Sequence, residues 1–109
     1  MRTRTSTSRS STTDMLKRVN NKTVQGANFI VSVPDIHRVR YAEGDKVAFI
    51  EIEGGMDAAG RVDWVVYAST LRGWEAPHQD VSISTSEQDA ILSNISKCLS
   101  LLDMPHKIV

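Results

Sequence analysis

The apolar positions of the chain change period along its length. From Asn28 onward they alternate: Phe29, Val31 and Val33 are separated by Ile30 and Ser32, which predicts a strand. Pro34-Asp35 is expected to end it, because proline has no N–H to give a ladder. Residues 36–41 (IHRVRY) and 46–53 (KVAFIEIE) read as the next two strands, with Ala42-Glu43-Gly44-Asp45 as the turn between them. A four-residue turn pairs Tyr41 with Lys46, Val39 with Ala48 and His37 with Ile50. One face then carries Val39, Tyr41, Ala48, Ile50 and Ile52, an expected core. The other carries Arg38, Arg40, Val47, Phe49, Glu51 and Glu53. Gly54 to Gly60 is expected to be a loose connection. Residues 62–68 (VDWVVYA) form a fourth strand, rich in β-branched and aromatic residues.

A loop over 69–83 is followed by a helix-start signal. Ser84-Thr85-Ser86-Glu87 reads as a capping box, with Ser84 as N-cap and Glu87 at N3. Ile91, Ile95, Cys98, Leu99 and Leu102 follow at helical spacing, so an amphipathic helix is expected over 85–102. Pro105 stops it, and His106-Lys107-Ile108-Val109 is expected to return as a short last strand. The fold class is therefore α+β: a small antiparallel sheet of about four strands, with one C-terminal helix packed on one face. The opposite sheet face is left open unless residues 14–27 or a second copy of the chain covers it.

Residues 1–13 (MRTRTSTSRSSTT) have no apolar residue after Met1, so they cannot offset an ordering entropy of about 1–2 kcal/mol per residue and are expected to be disordered. Met15, Leu16 and Val19 have helical spacing, so a short helix within 14–27 is expected, capped by Thr13 or Asp14 and broken by Asn20, Asn21 and Gly26. The domain organisation is thus a basic arm over 1–27 and a single α+β domain over 28–109.

Charge sharpens that division. The chain has 109 residues, 13 basic and 13 acidic, and a formal net charge of zero. Residues 1–27 hold six basic side chains and one acid, for +5, whereas residues 28–109 hold seven basic and twelve acidic, for −5. The arm suits nucleic-acid contact, because clustered Arg and Lys displace counterions from phosphates. It is also Arg- and Ser-rich like a transit peptide but lacks the apolar stripe such peptides carry. The third reading is a plain tail, which a start at Met15 would remove together with Arg2, Arg4 and Arg9. No stretch approaches the roughly 20 apolar residues of a membrane span, no signal-peptide core follows the first arginines, and one cysteine makes no internal disulfide. The expected compartment is the cytoplasm.

Candidate chemistry is sparse. His37, His78 and His106 lie far apart, and His78-Gln79-Asp80 is at most half a metal site. Cys98 sits on the apolar helix face and reads as a small hydrophobe. Glu51 and Glu53 share a strand face, but acid–base work needs a cleft that separates their pKa values. The glycines from Gly54 to Gly60 lack phosphate-loop spacings. Trp64 is expected in the core. Trp74 is either a plug for a small core or an anchor for a partner. No catalytic residue, cofactor or metal is expected. Partner contact is expected instead at Phe49, Glu51, Glu53 and Asp63 on the open sheet face. The following loop is expected to add Trp74, Glu75, His78 and Asp80.

Three stretches, in order, carry a resemblance. They are Val39-Arg40-Tyr41-Ala42-Glu43-Gly44-Asp45, then Trp64-Val65-Val66-Tyr67-Ala68-Ser69-Thr70-Leu71-Arg72-Gly73-Trp74-Glu75-Ala76-Pro77-His78, then the capped helix with Ile91-Leu92-Ser93-Asn94-Ile95. Over about residues 28–109 the chain resembles small bacterial polymorphic-toxin immunity proteins. It departs from them in its basic arm and in Asp103-Met104, where a helix-ending glycine is usual. The resemblance implies a non-enzymatic binder that covers an active site or essential surface of a cognate toxin. An acidic body suits a basic toxin such as a nuclease. The competing reading is a nucleic-acid-associated or regulatory module that uses the basic arm.

Overall fold

The computed structural model describes residues 15–109. Among them, seven strands form one sheet in sequence order: β1 (Lys17–Asn20), β2 (Thr23–Gln25), β3 (Ile30–Asp35), β4 (Arg38–Glu43), β5 (Lys46–Met56), β6 (Val62–Tyr67) and β7 (His106–Ile108). Neighbours are antiparallel except β6 and β7, which are parallel. A single 3₁₀ turn (Ala68–Thr70) follows β6, and helix α1 (Thr85–Leu101) carries the chain across to β7. The α+β architecture with one C-terminal helix is as the sequence predicts. The sheet has seven strands rather than about four.

β7 is the short last strand expected at His106–Val109, and the two unexpected strands, β1 and β2, come from the stretch expected to hold a short helix. Lys17–Gln25 is a hairpin turning at Asn21-Lys22, and the backbone N–H of Lys22 bonds the Asn20 side chain at 2.8 Å. That Asx turn is a local alternative to helix that asparagine offers. Burial decides the rest: Val24 is fully buried beneath α1, while Val19 stays half exposed on the edge strand. Residues 15–27 therefore extend the sheet at its edge and do not cover its open face. The disorder expected for residues 1–13 lies outside the described residues.

The β4–β5 hairpin pairs Glu43 with Lys46, Tyr41 with Ala48, Val39 with Ile50 and Arg38 with Glu51. This register is two residues away from the four-residue-turn expectation. Gly44 has φ +62°, so a two-residue Gly44-Asp45 turn closes the hairpin tightly. A slip of two keeps every side chain on its face, and Val39, Tyr41, Ala48, Ile50 and Ile52 are all buried. β3 continues through Pro34 to Asp35, with a register shift between Ser32 and Asp35 that accommodates the proline. Gly54, Gly55 and Met56 are not a loose loop but the end of β5, paired with Trp64, Asp63 and Val62.

α1 begins as the sequence predicts. Ser84 accepts from the Glu87 N–H, Glu87 accepts from the Ser84 N–H, and the Glu87 carboxyl is held below its usual range by that backbone bond. Ile91, Ile95, Cys98 and Leu99 are buried on one stripe against Val24, Val31, Val39, Ile50 and Val66. The sheet curls around the helix, so that Arg18 on β1 reaches the Leu101 carbonyl at 3.3 Å and Asp103 at 3.4 Å. His106 ties β7 to the helix. Its Nδ1 donates to the Met104 carbonyl at 2.8 Å, so Nε2 accepts from the Ser96 hydroxyl at 2.7 Å.

The helix ends in a Schellman motif: the Met104 N–H bonds Leu99 O at 2.9 Å and the Asp103 N–H bonds Ser100 O at 3.1 Å. This geometry puts Asp103 at φ +59°, where glycine is the usual residue. A side chain there costs about 1–2 kcal/mol, and an acid at a helix C-terminus opposes the dipole. The exposed Arg18–Asp103 pair offsets little of this. Asp103→Gly is therefore expected to stabilise the protein by about 1 kcal/mol, raising Tm by about 4–8 °C in a thermal melt. A lower Tm would mean that the Arg18 contact outweighs the backbone strain.

A candidate partner-binding face

Alternation on β4, β5 and β6 sends every second side chain away from α1. The open face so built pairs Arg40 with Phe49, Arg38 with Glu51, Glu51 with Tyr67, Glu53 with Val65 and Gly55 with Asp63. The faces read from the sequence for Arg38, Arg40, Val47, Phe49, Glu51 and Glu53 hold. Arg38 lies across the Phe49 ring, 4.5 Å from its centroid, and its Nε is 3.4 Å from Asp35. The Tyr67 hydroxyl donates to Glu53, and that bond to a carboxylate raises the phenol above its ordinary pKa.

One wall of the face is a loop folded back from the end of β6. Because β6 pairs only with the second half of β5, the backbone of the first half needs other partners on that side. Residues 68–75 supply them. The Glu51 N–H bonds Thr70 Oγ1 at 2.8 Å, Thr70 Oγ1 donates to the Tyr67 carbonyl at 2.6 Å, and the Glu75 N–H bonds Val47 O at 2.7 Å. Trp74 fastens this loop from the other side. Its ring is 3% exposed, stacks on Tyr41 with centroids 6.3 Å apart, and lies under the Lys46 ammonium at 4.9 Å. Burial pushes the Tyr41 hydroxyl up to about 12.

Two adjoining grooves result, sharing Arg38 and Glu51. One, of about 520 Å³, runs over His37, Ile52, Glu53 and Tyr67; the other, of about 420 Å³, runs over Phe49, Thr70, Arg72, Trp74, Glu75 and Gln79. The structure thus brings together Phe49, Glu51, Glu53 and Glu75. Asp63 lies on the same face, beyond Glu53 and outside both grooves. Trp74 forms part of a wall but its ring belongs to the core, so it is the plug of the two readings. His78 sits at the tip of the β4–β5 hairpin, 3.4 Å from Asp45, and Asp80 is exposed farther along the loop. Arg38 and Tyr67 were within reach of the alternation rule. Arg72 and Gln79 come in only through the folded-back loop, which has no local sequence signal.

The other candidate chemistry is dispersed. Among the described residues no three His, Cys, Asp or Glu side chains are placed to hold a metal ion. Burial pushes the Cys98 thiol up to about 11, the inert state of a packed cysteine. No helix of the described residues is long and apolar enough to cross a membrane.

No curated protein and no solved structure matches the chain. A family model described as Immunity protein 74 matches residues 30–108, from the first residue of β3 to the last of β7. The match spans the hairpin, the Trp74 loop and the capped helix on which the resemblance rested. The chain belongs to this family of polymorphic-toxin immunity proteins.

Proposed function

We propose that the protein neutralises a cognate toxin by stoichiometric binding, with no cofactor and no chemistry of its own. The observation that carries this reading is the family match over residues 30–108, since an immunity family implies a toxin to bind. The open face supports the mode of action. It is uncovered by α1, has the Phe49 and Tyr67 rings near its centre, and carries Glu51, Glu53, Asp63 and Glu75 around them. An aromatic centre with a charged rim is the anatomy of a protein interface. Residues 28–109 carry −5, and the β1–β2 hairpin that joins the sheet brings Lys17, Arg18 and Lys22, leaving −2 over residues 15–109. That acidic excess favours a basic toxin such as a nuclease, through faster and more selective association.

The test is co-expression with the toxin encoded beside this chain. Cells are expected to survive, and a one-to-one complex is expected on purification. Phe49→Ala and Glu51→Lys stand on the open face and are expected to weaken the complex by at least tenfold each, as interface anchors do. Because Glu51→Lys reverses a charge, its loss should shrink as salt is raised. Equal killing with and without the chain would refute the function. Survival with unaltered affinity in both variants would refute the face alone.

A further inference from the structure

The β5–β6 hairpin extends past the part of the sheet that α1 covers. Following the buried Ile52–Val66 pair, the same face continues with Gly54–Trp64 and then Met56–Val62. A Cβ on Gly54 would come 3.2 Å from the Trp64 ring, so that ring lies flat over the strand. Beside it opens a third groove, mostly apolar and of about 210 Å³, walled by Val33, Ile36, Trp64 and Met104. Ile36 is 65% exposed and Met56 73%. This end of the molecule therefore presents both an apolar hole and apolar knobs, the combination that marks interaction surfaces.

We propose that this end is the contact between two copies of the chain, related by a twofold axis near Trp64. An interface of that symmetry needs one patch that complements itself. A hole beside a protruding Ile36 meets the requirement, each copy's Ile36 entering the other's groove. The charges agree. The groove is flanked by one cation, Lys22, and one anion, Asp35. Lys22 has no ion-pair partner among the described residues, and Asp35 is kept ionised by the His37 N–H and Arg38. A twofold sets each Lys22 across from the other copy's Asp35. The patch is neutral where the rest of the body is acidic, so self-association there meets no like-charge repulsion, and a basic partner has no reason to prefer it.

The experiment is sedimentation of the full chain over a range of concentrations, with Ile36→Asp, Met56→Asp and the charge swaps at Lys22 and Asp35. The wild type is expected to pass from monomer to dimer. Ile36→Asp and Met56→Asp change exposed side chains, so circular dichroism and Tm should be preserved while the dimer weakens at least tenfold. Lys22→Asp should weaken it too, and Lys22→Asp with Asp35→Lys should recover part of the loss. A wild type that stays monomeric at every concentration overturns the proposal, as does a dimer indifferent to Ile36→Asp. Toxin binding lost in Ile36→Asp from a monomeric wild type also overturns it and gives the patch to the toxin. Phe49→Ala acts on the opposite face and should leave the dimer intact, which separates the failure of this proposal from the failure of the toxin-binding face.

Discussion

Trp74→Ala is expected to lower the unfolding free energy by about 3–5 kcal/mol, a large share of the roughly 5–15 kcal/mol of a typical domain. The ring is buried, stacked on Tyr41, and capped by the Lys46 ammonium. Its removal leaves a cavity under the loop that supplies the Glu75 N–H to Val47 O. The loss should therefore have a local signature: in native-state hydrogen exchange the Glu75 amide should lose protection before the centre of the sheet does. Trp74→Phe provides the comparison. The indole Nε1–H is buried with no hydrogen-bond partner among the described residues. An unsatisfied buried donor costs about 1–3 kcal/mol, so phenylalanine gives up some area and removes that penalty. Urea melts should place it far closer to wild type than to alanine. Equal small losses for both variants would show that the ring is not the fastener of the loop.

The second large effect comes from the smallest change. Gly26→Ala is expected to cost about 1–3 kcal/mol by overpacking. A Cβ at residue 26 would sit 2.4 Å from the Phe29 ring, a distance that real contacts do not show. The ring has little room to retreat, because it stacks on Tyr41 with centroids 5.5 Å apart, and Tyr41 in turn backs onto Trp74. The Gly26 N–H also bonds the Phe29 carbonyl at 2.8 Å, which keeps the two residues together. Phe29→Leu gives the added methyl somewhere to go. In a double-mutant cycle the pair should be less destabilised than the sum of the singles, a coupling of roughly 0.5–3 kcal/mol. Strict additivity would mean that the backbone of residue 26, rather than the ring, bears the cost.

Both effects run along a row of aromatic rings, Phe29, Tyr41 and Trp74, that only the folded chain assembles. Alternation on β4 and β5 was enough to assign Tyr41 to the inner face, and the Ser84 capping box marked where α1 starts. A two-residue error in the hairpin register did no harm to the faces, because side chains repeat every two residues. The β1–β2 hairpin was illegible for the opposite reason. Each strand has one apolar residue, Val19 or Val24, so no period could be established, while Met15, Leu16 and Val19 imitated a helical one. Asn20 and Asn21, read as helix breakers, were the competing signal: they mark the turn at Asn21-Lys22. Gly54-Gly55 read as a loop because glycine disfavours strands. The Trp64 ring lying over Gly54 is the reason a strand tolerates it. Of the open face, the strand-borne side chains could be read from alternation; from residues 70–79 the sequence singled out Glu75, but not Thr70, Arg72 or Gln79, nor how the loop folds back. That loop is placed by the bonds of Thr70 to Glu51 and of Glu75 to Val47 and by one buried ring, none of which has a local pattern.

The parallel strand β7 has a consequence for the order in which the sheet is completed. Strands β1 to β5 each pair with their immediate successor across a short connection, so those contacts close over short stretches of chain and form early. β7 reaches β6 only after the 68–80 loop and the whole of α1 have been threaded and docked. Until then the far edge of β6, with Trp64 and Val66, is an unpaired template in a partly assembled molecule. Another nascent chain could zip onto it. Speed of helix docking, set by the Ser84 cap and the stripe from Ile91 to Leu99, therefore governs how long that edge stays available, and with it the yield of correctly finished protein.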